Sequence, residues 1–71
     1  MKSFKDDFTS MYSDVWKRLT PFLWEEKKFS DEDWKNVIDS ANDIKSTKLK
    51  DYEIDLSLCM VKAIERKQRG L

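Results

Sequence analysis

Acidic, basic and aromatic side chains each occur in this 71-residue chain at spacings that could carry chemistry. The acidic set is Asp31, Glu32 and Asp33, followed by Asp39 and Asp43. Clustered carboxylates can hold a divalent cation or dock a basic partner. Their spacing is not that of an EF-hand loop, and acids at a helix start also complement the positive end of the helix dipole. The basic set is Lys62, Arg66, Lys67 and Arg69. Such cations can contact phosphates and give salt-sensitive affinity that ignores base sequence. Cations at a helix end complement the dipole equally well. Among the aromatic residues, Trp16 and Trp34 fall on periodic apolar faces and are read as core. Trp24 falls outside those faces and is read as a contact residue, because tryptophan is favoured at binding hot spots.

Much catalytic chemistry lacks its parts. The chain has no histidine, one cysteine and one glycine. That removes the commonest general base, a cysteine zinc site and any glycine-rich phosphate loop. A non-enzymatic protein with no metal, cofactor or small-molecule substrate is expected. Fourteen basic and 14 acidic residues give zero formal charge, whereas binders of nucleic acid or anionic membranes usually carry a basic excess. Cys59 cannot form an internal disulfide. It is read on an apolar face as a small hydrophobe, in a reducing cytoplasmic setting. The start, MKSFKDDF, has no apolar segment of a signal peptide. No apolar run approaches the ~18–20 residues of a membrane span.

The elements that position these groups follow from periodicity. Phe4, Phe8, Met11, Tyr12, Val15, Trp16, Leu19, Phe22 and Leu23 recur at helical steps. Pro21 interrupts them, since it cannot donate to the Lys17 carbonyl and disfavours helix at Thr20. The first helix is predicted at 3–20, with a short helical turn at 21–25 in which Thr20 is the N-cap; a kinked continuation is the alternative. The second helix is predicted at 31–46. Ser30 and Asp33 have capping-box spacing, and Phe29 and Trp34 have hydrophobic-staple spacing. Trp34, Val37, Ile38, Ala41 and Ile44 form its apolar face. The third helix is predicted at 50–69, with Gly70 as its stop. Short connectors make this an all-α, up-down-up three-helix bundle occupying 1–71 as one domain.

The third helix has two apolar rows rather than one. Tyr52, Leu56, Cys59, Met60 and Ala63 form the first, and Ile54, Leu58, Val61 and Ile64 the second. Together they exceed the ~100° stripe that a surface helix buries. The second row is either core between two neighbours or a surface shared with a second copy of the chain, which would help stabilise so small a domain.

Three pieces of the chain resemble small helical proteins of phages and other mobile elements of Firmicutes. They are Met11-Tyr12-x-x-Val15-Trp16, Asp33-Trp34-x-x-Val37-Ile38 and Leu56-x-Leu58-x-x-Val61-x-x-Ile64-Glu65-Arg66. The resemblance implies an accessory role in phage or host–phage biology and assigns no functional residues. The sequence as a whole points to a protein-interaction module, self-associating through the third helix, with Trp24, Ile54, Leu58 and Val61 as candidate interface. The alternative is a nucleic-acid accessory protein using Lys62, Arg66, Lys67 and Arg69.

Overall fold

The computed structural model describes residues 3–71. Met1 and Lys2, which open the MKSFKDDF stretch and the predicted 1–71 domain, lie outside the described residues. The chain folds into α1 (Phe4–Leu23), α2 (Asp31–Ala41) and α3 (Lys50–Arg69). Tyr52 at the start of α3 meets Phe4 and Phe8 of α1, each at 5.8 Å between rings. Lys67 at the end of α3 reaches the carbonyl of Leu23. These pairs set α1 and α3 parallel. The α2 helix runs back antiparallel and packs against both, so the predicted up-down-up, all-α bundle is the fold. The core is Met11, Val15 and Leu19 of α1, Val37 and Ala41 of α2, Val61 and Ile64 of α3, and Leu49 just before it.

Helix α1 does not stop before the proline. It continues through Pro21 to Leu23, with Trp24 as its C-cap, so the separate turn at 21–25 does not form. Pro21 is exposed, and the bond it cannot make to Lys17 lies on the solvent side. Phe22 and Leu23 pack partly buried against the core. Burying such side chains is worth ~1.5–3 kcal/mol each when complete, enough to offset most of the ~3 kcal/mol of a helical proline. Thr20 is not an N-cap. It is buried, and its hydroxyl donates to the Trp16 carbonyl at 2.7 Å.

Helix α2 begins as predicted. The Ser30 hydroxyl accepts from the Asp33 N–H at 3.2 Å, and the Asp33 carboxylate accepts from the Ser30 N–H at 3.0 Å. Phe29 and Trp34 close the staple edge-on at 5.3 Å. The helix ends at Ala41, not at 46, with Asn42 as C-cap. A longer helix would bond the Lys45 and Ser46 amides to the carbonyls of Ala41 and Asn42. Both amides instead donate to the Glu53 carboxylate, at 3.0 and 3.2 Å.

Helix α3 has its predicted span. Gly70 is its C-cap with φ −82, an ordinary right-handed conformation. The buried row is Glu53, Ser57, Val61, Ile64 and Gln68. It shares Val61 and Ile64 with the second predicted apolar row and is polar at both ends. Each end holds a connector. Glu53 takes the α2–α3 connector as described. Gln68 accepts from the Phe29 N–H at 2.7 Å and donates to the Lys27 carbonyl at 2.9 Å, fixing the α1–α2 connector.

Candidate interaction surface

Residues 4, 8, 12, 16, 20 and 24 succeed one another four apart, and all but Thr20 are aromatic. With 3.6 residues per turn, an i+4 row drifts around the helix by ~40° at each step. Burial along the row is accordingly uneven: Phe8 is partly buried against the core, whereas Trp24, the C-cap, stands in water. Phe4 and Phe8 meet at 5.8 Å, Tyr12 and Trp16 stack at 6.2 Å, and Trp16 and Trp24 meet edge-on at 6.2 Å. Thr20, between the two tryptophans in the row, is buried. Phe4, Tyr12, Trp16 and Trp24 stay exposed, Trp24 at 60%. Trp16 is thus 43% exposed rather than core as predicted. Trp16 stands at the margin of α1 beside Leu56 and Met60 of α3, which cover only part of its ring. Tyr12 and Trp16, together with Val15, Leu56 and Met60, line a small apolar slot between α1 and α3.

The polar buried row of α3 divides the candidate interface. Leu58 is 54% exposed, and Ile54 is exposed beside it. Val61 is 8% exposed and belongs to the core, so it leaves the interface set. Cys59 is exposed rather than on a buried face. Both shifts have one cause. The buried meridian runs through Val61 and Ile64 and leaves Tyr52 and Cys59 out along one margin, and Ile54 and Leu58 out along the other.

The basic end of α3 is not one free patch. Lys62, Arg66 and Arg69 are exposed. Lys67 is partly buried; its ammonium donates to the Leu23 carbonyl at 2.8 Å and to Glu26 Oε1 at 3.0 Å. The last turn of α1 has no basic residue, so Lys67 supplies the cation that the negative end of α1 lacks. That use removes it from the predicted phosphate contacts.

An open polar hollow is lined by Asp7, Ser10, Asp14, Lys45, Lys48 and Glu53, among others. Its buried carboxylate, Glu53, is occupied by Arg18 and by the Lys45 and Ser46 amides. In the acidic set, Asp33 is engaged by Ser30, and Lys27 lies 3.6 Å from it. The Ser30 amide holds the Asp33 carboxyl below its ordinary value, and Lys27 adds to this. Among the described residues, no three His, Cys, Asp or Glu side chains are placed to hold a metal ion, and no helix is long and apolar enough to cross a membrane.

No family model, curated protein or solved structure matches this chain.

Proposed function

We propose that the protein is a non-enzymatic interaction module that associates with a second copy of itself through the outer face of α3, flanked by the aromatic row of α1. The observation that carries this reading is the number of large apolar side chains left in water. At ~150–250 Å² per aromatic, half exposed, Phe4, Tyr12, Trp16, Trp24 and Tyr52 together leave on the order of 500 Å² of aromatic surface in water, in one group of Phe4 and Tyr52 and another of Tyr12, Trp16 and Trp24. Leu58 and Ile54 expose aliphatic surface on the other margin of α3. Water-exposed tryptophan with aliphatic neighbours suits a protein contact, where aromatics anchor and polar groups rim.

Nucleic acid is the weaker occupant. Lys67 serves the fold, and the exposed strip of α3 that holds Lys62 and Arg66 also carries Asp51 and Asp55. The resemblance to phage and mobile-element proteins supports an accessory rather than a catalytic role. The exposed thiol of Cys59 suits a reducing cytoplasm.

The test is substitution of Leu58 by Asp, which places a charge at the centre of the proposed contact without entering the core. Loss of association with an unchanged helical circular-dichroism spectrum is expected. Association at wild-type strength in the folded variant would overturn the reading.

A further inference from the structure

The outer strip of α3 carries its charges in an order that a second copy can read. Asp51, Asp55, Leu58, Cys59, Lys62 and Arg66 are all exposed. They lie across the helix from the buried row, as the 3.6-residue period requires. Acids occupy the N-terminal half of the strip and bases the C-terminal half. Among the described residues, none of Asp51, Asp55, Lys62 and Arg66 is in an ion pair within the chain. Asp51 and Arg66 stand at equal sequence distances from the Leu58–Cys59 bond, and so do Asp55 and Lys62.

We propose that two copies pair α3 against α3, antiparallel, about a two-fold axis at the Leu58–Cys59 bond. Asp51 of one copy then faces Arg66 of the other, and Asp55 faces Lys62, each pair forming twice. This proposal rests on the self-association reading and specifies its register. A two-fold interface must be complementary to itself, and this strip is so in the antiparallel sense only. A parallel pairing would set acids on acids and bases on bases, an arrangement that like-charge repulsion rejects. Exposed ion pairs add little affinity individually. Their part here is to fix direction and register, while Leu58, with Ile54 beside it, supplies the apolar contact at the centre. Helix-dipole compensation alone would also put acids first and bases last, but it makes no prediction about pairing between copies.

The experiment uses two variants of the full chain. Lys62→Asp with Arg66→Asp makes the strip wholly acidic; Asp51→Lys with Asp55→Lys makes it wholly basic. Each variant repels its own copy, so its dimer dissociation constant rises at least tenfold. An equimolar mixture forms a heterodimer, because every facing pair is then opposite in sign. Molar mass by light scattering reads all three samples and the wild type. A mixture that stays monomeric, or variants that self-associate like the wild type, would overturn the register while leaving self-association in place. A monomeric wild type would overturn both. If the altered helix ends prevent folding, the wild type still gives a test. Cys59 is the only thiol and lies beside the axis, so a bis-maleimide spanning the ~8–10 Å between packed helices should trap the dimer. A wild-type dimer that resists this reagent would overturn the register.

Discussion

Arg18 of α1 donates from its Nη2 to Oε2 of Glu53 in the first turn of α3, at 2.8 Å, across 35 residues of chain. The same guanidinium holds Asp14 through Nε at 2.9 Å and the Ser40 carbonyl through Nη1. Glu53 is 1% exposed, and its two oxygens also receive the Lys45 and Ser46 amides of the α2–α3 connector. The buried Arg18–Glu53 pair thus joins all three helices, with Arg18 supplying the link to α2. Removing one partner of a buried pair leaves the other charged and desolvated, at a cost of ~3–5 kcal/mol.

Glu53→Ala should therefore lose about 3–5 kcal/mol. A domain of this size has on the order of 4–10 kcal/mol in total, by the usual per-residue stability. Urea unfolding followed by circular dichroism should show a greatly lowered midpoint or no folded baseline. Glu53→Gln, which keeps an acceptor for the connector amides, should lose less. Equal midpoints for Glu53→Ala and the wild type would contradict the role of this carboxylate.

Ser57 predicts the opposite sign. Its hydroxyl is buried and has no hydrogen-bond partner, a state that costs ~1–3 kcal/mol. Ser57→Ala removes the hydroxyl, keeps the helix and should raise stability by about 1 kcal/mol, seen as a higher urea midpoint at unchanged slope. A loss of stability would mean that the hydroxyl has an unseen partner.

Asp33 gives a pH dependence. Its folded value is lowered, chiefly by the Ser30 amide. A lowered carboxyl stabilises the fold fully above its unfolded value, near the ordinary 3.8, and that contribution is lost as pH falls through the folded value. The stability difference between wild type and Asp33→Asn should be constant at neutral pH and shrink as the solution is acidified below about pH 4. A difference unchanged down to pH 2 would contradict the capping-box carboxylate as its source.

The three helices were legible because apolar periodicity and the Ser30–Asp33 cap are local signals. The end of α2 was not, because the Glu53 that stops it lies in another helix. The inward face of α3 was hidden by polar residues. Glu53, Ser57 and Gln68 occupy the buried meridian, so the apolar residues on its margins looked like two faces. The 53-57-61-64-68 spacing, which shares Val61 and Ile64 with the second row, was the signal that could have placed it. Pro21 was read by its local preference, which packing of Phe22 and Leu23 overrides. For the surface, Trp24 was legible because it fell outside every periodic face. Trp16 was not, since its partial exposure depends on where Leu56 and Met60 of another helix end against its ring.

The most direct test is the molar mass of the wild-type chain in solution, by light scattering after size exclusion over a wide range of concentrations. The account predicts a mass that rises with concentration to that of two chains and returns to one chain in Leu58→Asp. A single-chain mass for the wild type at every concentration would contradict self-association through α3.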